Sequence, residues 1–377
     1  MQIGKYKKQT QGYNAFILNK FPPKEGFEFN NKIIKKASQA NLLLGKLDGI
    51  TQLLPNIDFF LFMYIRKDAA SSSQIEGTRA TMIDAIEAES KTSQKLPGDV
   101  DDILHYISAL NYGLERLGEF PLSLRFIREI HEELMKDARS THFSDPGNFR
   151  KSQNWIGGTN PNNAAFVPPP PEDMHQALND FENFLNSEDE LLPVIKAGIL
   201  HAHFETIHPF LDGNGRTGRI LITLFLWLEK LLDKPILFLS TYFKKHQQLY
   251  YDKLSQYHSE ENNVEAWLEF FLDGVIDIAK ESIETVKQIN ILRDEDMAKI
   301  HSLGKTASAS ALQVLPELYK LPIVNVHTIQ SSTRFTKQGA QNVIDRFIKL
   351  GILEIKDENV SYDRSFIYRR YLNIFSN

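Results

Sequence analysis

Apolar residues recur at helical spacing over ten stretches: 30–54, 56–76, 79–92, 99–117, 123–138, 172–186, 193–206, 216–231, 243–257 and 263–295. One face of a 3.6-residue repeat in each commits the chain to a mainly α fold. Strand-like pieces are expected only around 146–167 and near the C-terminus. With 377 residues, 42% of them hydrophobic, the chain is long enough for two or three domains. It has no cysteine, so neither disulfides nor thiolate chemistry enter. No apolar run approaches the ~20 residues of a membrane span. The start, Met1 to Tyr6, lacks the apolar core of a signal peptide. These features lead to the expectation of a soluble, cytoplasmic protein with no membrane partner.

Chemistry concentrates in one run, His208-Pro209-Phe210-Leu211-Asp212-Gly213-Asn214-Gly215-Arg216-Thr217-Gly218-Arg219. Gly213 and Gly215 flank Asn214 and let the backbone bring N–H groups close to a ligand. The segment that follows is apolar and free of proline, so the turn feeds a buried helix. Free N–H groups and the dipole at such a helix start favour negative charge. Arg216 and Arg219, three apart, share a face of the first turn and can fork onto phosphate oxygens. Asp212 is a candidate Mg²⁺ ligand at the lip. His208 suits a general base. Taken singly, each part has an ordinary explanation as a turn, a solvated helix face or a structural histidine. Their joint order does not.

The run resembles the signature of Fic-domain proteins, His-x-Phe-x-(Asp/Glu)-Gly-Asn-Gly-Arg-x-x-Arg, without departure. That resemblance implies transfer of AMP from ATP to a Ser, Thr or Tyr hydroxyl of a target protein, with pyrophosphate leaving. By position, His208 would deprotonate the hydroxyl and Asp212 would hold Mg²⁺. Gly213, Asn214, Gly215 and Arg216 would bind phosphates, and Arg219 would hold the γ-phosphate.

Upstream, Ser72-Ser73-Gln74-Ile75-Glu76-Gly77 reads by itself as a polar helix end closed by glycine. Beside the first motif it resembles the inhibitory motif of Fic proteins, (Ser/Thr)-x-x-x-Glu-(Gly/Asn), with Ser72 and Glu76 at the matching positions. A glutamate paired with Arg219 would occupy the guanidinium the γ-phosphate needs, and a small misplacement of the α-phosphate is expensive. The resemblance therefore implies a self-restrained enzyme. In some relatives this glutamate also supports removal of AMP.

The stretch Pro146 to Val167, followed by four prolines, reads as an irregular hairpin. In position it resembles the Fic flap, which registers a target by strand addition. Tyr250 and Tyr251 lie in an aromatic-rich helical pattern that in the family borders the adenine pocket. His201, His203 and His208 do not make a zinc site by spacing, because His201 and His203 face different sides of a helix.

Residues 301–377 show a helix, a short β-prone piece, two short helices (the second closed by Gly351) and a hairpin-like wing around a polar turn. This order resembles a winged-helix domain. Ten basic and six acidic residues give this tail a net charge of +4, against −5 for the whole chain. A basic module suits nucleic acid, but winged helices serve protein contacts too. The expected organisation is 1–98, an N-terminal helical region; 99–260, the catalytic core; 261–300, a linking helix; and 301–377, the winged-helix domain. Family resemblance further implies a homodimer, and self-modification is conceivable. A DNA-binding regulator using the core as a nucleotide sensor, and transfer of another nucleotide or phosphate moiety, stay open as alternatives.

Overall fold

The computed structural model describes residues 2–54, 56–90, 96–136, 145–259, 263–359 and 364–375. Strands β1 (Gly4–Lys8) and β2 (Asn14–Leu18) come first. Helices α1 (Asn31–Thr51), α2 (Ile57–Ile75), α3 (Met82–Ser90), α4 (Val100–Leu117), α5 (Leu124–Met135) and α6 (Pro171–Leu185) follow. Then come α7 (Pro193–Ile207), α8 (Asn214–Leu228), α9 (Ser240–Lys245), α10 (Gln247–Tyr257) and α11 (Val264–His301). The C-terminal part holds α12 (Lys305–Lys320), β3 (Ile323–Val324), α13 (Val326–Ser332), α14 (Lys337–Lys349), β4 (Glu354–Ile355), β5 (Phe366–Ile367) and α15 (Arg369–Phe375). The fold is mainly α, and among the described residues no helix is long and apolar enough to cross a membrane.

Two compact units form. The first comprises residues 1–45, 71–77 and 104–279. At its centre α7 is buried nearly all round, from Val194 to Ile207, as its apolar sequence requires. It packs against α6, α8 and α10. Gly198 lets α11 close in: a Cβ there would lie 2.9 Å from the Phe271 ring, and Trp267 Nε1 donates to the Gly198 carbonyl at 2.7 Å.

The second unit comprises 46–70, 78–103 and 280–377. Its small sheet has the order β3-β5-β4, with both pairings antiparallel. Asp296, fully buried on α11, accepts from Tyr368 Oη and Arg370 Nη1, each at 2.6 Å. Asn325 caps α13 in a reciprocal box with Thr328, and Thr336 caps α14.

Two expectations need correction. Strands also occur at the N-terminus, where β1 and β2 pair antiparallel from Gly4↔Leu18 to Lys8↔Asn14. Their sequences, GKYKK and NAFIL, lack a clean alternation because most of β1 faces solvent. The stretch 146–167 forms the irregular hairpin expected there, with a single antiparallel bridge between Ile156 and Phe166. The helix expected over 243–257 is two helices, broken at His246, whose φ is −115°. Residues 91–92 and 137–138 of the expected helices, the domain boundary at 260–261, and 360–363 of the polar turn lie outside the described residues.

Candidate active site

The site is built where α7 hands the chain to α8. His208 caps α7 in the left-handed region, φ 48° and ψ 60°, and its N–H donates to Phe204 O at 2.9 Å. The five-residue loop that follows is closed by Asn214. Its Oδ1 accepts from Phe210 N at 2.8 Å, and its Nδ2 donates to Phe210 O at 2.9 Å. The Asn214 side chain is thus consumed by the loop, leaving its backbone N–H as the group available to a ligand. Gly213 has φ +75°, and a Cβ there would sit 2.8 Å from Met135 Sδ and 3.3 Å from His131 Nε2. Helix α8 starts with no side-chain cap, so its first-turn N–H groups make an uncapped anion seat.

The charged groups gather around that seat. Asp212 lies at the lip with its side chain 42% exposed; Oδ1 accepts from Gly213 N at 2.6 Å and lies 3.9 Å from Arg216 Nη2. Arg216 is buried, with Nη2 3.5 Å from Met135 Sδ. Arg219 is buried and bonded to Ser72 and Glu76. Its Nε donates to Ser72 Oγ at 2.8 Å, and its Nη2 donates to Ser72 O at 3.0 Å and to Glu76 Oε1 at 2.7 Å. Burial opposes the Arg219 charge, but Glu76, Tyr250 and Glu205 together hold its pKa well above the ordinary value. Gly215 makes room for the pair, since a Cβ there would fall 2.4 Å from Glu76 Oε1.

Several contributing residues carry no signal of their own in the sequence. Glu205, one turn before His208, places Oε2 3.9 Å from His208 Nδ1, and burial pushes its carboxyl up to about 8. Burial and the Arg150 charge lower His208 to about 4, which leaves its imidazole neutral at physiological pH. Arg150, itself buried, donates from Nε to His208 O at 2.9 Å and from Nη2 to Pro169 O at 2.5 Å. Asn154 Nδ2 donates to His208 O at 3.3 Å and Phe210 O at 2.9 Å. His131, on α5, lies against the loop from behind. A lone histidine on an amphipathic helix, or a carboxylate three residues before a histidine, gives the reader of a sequence nothing to single out.

The two tyrosines separate. Tyr250 is 1% exposed, stacks on Phe243 at 4.6 Å and has its hydroxyl 2.8 Å from His201 Nε2. Tyr251 is 43% exposed, and its hydroxyl donates to Ile75 O at 3.3 Å. Of the pair, Tyr251 alone offers a ring to a ligand.

No cluster of three or more potential metal-ligating side chains exists among the described residues. Asp212 nevertheless fits Mg²⁺, which keeps its waters and is commonly held by one carboxylate plus substrate phosphates. Its carboxylate is outward-facing and adjoins the anion seat.

A histidine at the end of α7 is joined through a glycine loop to an uncapped, arginine-lined helix start, an arrangement chemically suited to phosphate groups. Residues 121–226 match the Fic/DOC family, and residues 34–115 match the Fic/DOC family N-terminal region. Over these two stretches the chain belongs to the Fic/DOC family. It is 33% identical over 179 residues to the protein adenylyltransferase Fic of Aedes aegypti, covering 46% of this chain and 31% of that one. To the probable protein adenylyltransferase of Aquifex aeolicus (strain VF5) it is 34% identical over 191 residues, covering 49% and 54%. The chain thus spans about a third of the insect relative. Among solved structures, a Fic family protein from Desulfovibrio desulfuricans G20 superposes with a TM-score of 0.58 at 17% identity. That match covers 91% of this chain and 97% of the other, a likeness of fold.

Proposed function

We propose that this protein is a protein adenylyltransferase that transfers AMP from ATP to a hydroxyl of a target protein and is restrained by Glu76. The observation that carries the reading is the joint placement of His208, the α8 N-terminus and Arg219, with Glu76 seated on that arginine at 2.7 Å. In the proposed reaction His208 takes the proton of the target hydroxyl. The oxygen attacks the α-phosphorus as the bond to the bridging oxygen breaks, and pyrophosphate leaves with that electron pair. The first-turn N–H groups of α8, Arg216 and Arg219 hold the polyphosphate and neutralise its charge, which is most of what such transfers ask of a protein. Asp212 would hold Mg²⁺, which would supply further charge neutralisation for the polyphosphate. Tyr251 would face the base. The named activity of the relatives supports this reading.

Glu76 would act by occupancy. With its carboxylate on Arg219 Nη2, the γ-phosphate meets negative charge where it needs a cation. The test is label transfer from α-labelled ATP with Mg²⁺, comparing the wild type, Glu76→Gly and Glu76→Gly/His208→Ala. Label on protein in the single variant alone supports the whole assignment. No label in any variant, with lysate supplied as target, overturns it.

A second reading concerns residues 301–377, for which the element order α12-β3-α13-α14-β4-β5 favours a winged helix. Helix α14 exposes Lys337, Gln338 and Asn342 to solvent, side chains that suit backbone and base contacts on duplex DNA. Salt-dependent binding of a DNA duplex to the full chain tests this. A protein partner at the same helix is the competing outcome.

A further inference from the structure

We infer that His131 is a positioning residue that fixes the sense of the Asp212–Gly213 peptide at the head of the anion seat. The inference rests on the nucleotide-binding reading above, but the geometry behind it is independent. Gly147 N–H donates to His131 Nδ1 at 2.9 Å, so in the neutral ring that nitrogen carries no proton. The proton therefore sits on Nε2, which donates to Asp212 O at 2.9 Å. The ring lies flat on Phe210 at 3.7 Å with an interplanar angle of 1°, and Phe210 is itself clamped by Asn214. The imidazole has no freedom to turn away.

A trans peptide points its C=O and N–H in opposite directions. With Asp212 O drawn back to His131, Gly213 N–H must face forward, where it meets Asp212 Oδ1 at 2.6 Å. The glycine does not choose this orientation by itself, because it tolerates backbone conformations of either sign of φ. Turned over, the same peptide would present a carbonyl oxygen to the phosphates and release the Asp212 carboxylate from its own backbone. His131 thus selects between an amide that attracts an anion and one that repels it. His131 is itself buried, 1% exposed, so its ring acts through the peptide it holds.

The test is calorimetric binding to the full chain carrying Glu76→Gly, with His131 intact or replaced by Gln, Asn or Phe. The probes are Mg·ATP, inorganic tripolyphosphate and adenosine. Gln can place an N–H where Nε2–H lies; Asn and Phe cannot. Losing the bond should weaken ATP and tripolyphosphate about tenfold in His131→Asn and His131→Phe, while His131→Gln stays within about threefold of the parent. Adenosine should bind equally to all. Unchanged tripolyphosphate binding in the Asn and Phe variants overturns the inference, as does parallel loss of adenosine in all three. If Asn and Phe variants do not fold, hydrogen exchange at the Gly213 amide is compared between His131→Gln and the parent. Similar exchange supports the inference, and faster exchange in the Gln variant overturns it. A parent that binds none of the probes counts against the adenylyltransferase reading, and the Gly213 amide comparison still decides the role of His131.

Discussion

Arg219 gives Glu76 only one of its hydrogen bonds. Nη2 donates to Glu76 Oε1 at 2.7 Å, while Ser72 receives two, through its hydroxyl and its carbonyl. The guanidinium is therefore held in place by α2 whether or not the carboxylate stays. This asymmetry predicts different results for Ser72, within α2, and Glu76, just past its end. Glu76→Gly should free the γ-phosphate position without disordering Arg219, raising label transfer from α-labelled ATP by about tenfold or more, the scale of one charge-assisted bond plus the repulsion removed. Ser72→Ala should leave Arg219 less well placed and should not raise transfer. Equal activation by both would show that Glu76 is not the restraint.

The pH dependence follows from burial. His208 titrates at about 4, lowered first by desolvation and then by Arg150. A base must be neutral, so activity of the Glu76→Gly variant should hold level from pH 7 down to about 5. It should fall only on approach to pH 4. Removing Glu76 removes a charge that raises the His208 pKa, so the limb should move no higher in that variant. A kcat/KM profile with its acid limb near 6.5, the ordinary histidine value, would overturn the assignment of His208 in this environment.

Glu205 should leave its mark on stability. Its folded pKa is about 8, above the ordinary 4.5, because burial outweighs the pull of Arg219 and is reinforced by Glu76. The folded state then holds a proton that the unfolded state has released. Stability from this group is full below pH 4.5 and is lost as pH rises toward 8. At pH 7 the penalty is at most about 3 kcal/mol. Below pH 6.5 the buried His131, His201, His203, His208 and His258, all lowered to between about 3 and 4, tilt stability the other way. The clean window is therefore pH 6.5 to 8, where melting temperature should decline in the wild type. Glu205→Gln should flatten that slope and melt higher at pH 8. Parallel slopes in the two proteins would show that Glu205 is ionised in both states.

How much of this was legible in the sequence depends on the range of the physics involved. Helix α8 beginning after Gly213 follows from local rules, because a positive-φ glycine and an apolar, proline-free run need no distant partner. Glu76 and Arg219 are 143 positions apart, yet two motifs that each resemble one family suggested the pair. His131 and Glu205 had no such help. Their roles arise from what α5 and α7 bring to the loop, and neither residue stands out in its own helix. Tyr250 and Tyr251 are adjacent, and helical rotation alone sends one into the Phe243 stack and the other to the surface. The β1–β2 hairpin escaped notice because pairing, not alternation, holds its lysine-rich strand.

The segment that carries Glu76 is pinned by α9 and α10, and this leads to a last prediction. Ile75, the residue before Glu76, has a carbonyl that accepts from Gln247 Nε2 at 2.9 Å and Tyr251 Oη at 3.3 Å. One residue earlier, Gln74 Oε1 accepts from Lys244 Nζ at 2.5 Å. None of these three side chains contacts Arg219 in the bonds that seat Glu76. Gln247→Ala removes the shortest tie to Ile75 and should loosen Glu76 without altering its charge. Activity should rise about fivefold, the worth of one ordinary hydrogen bond. The same change in the Glu76→Gly background should add nothing, because the tie then holds an empty latch. This non-additivity is the decisive reading, since independent sites would add. A gain of equal size in both backgrounds would show that Gln247 acts independently of Glu76, and a loss in both would make it part of the binding wall that Tyr251 helps to form.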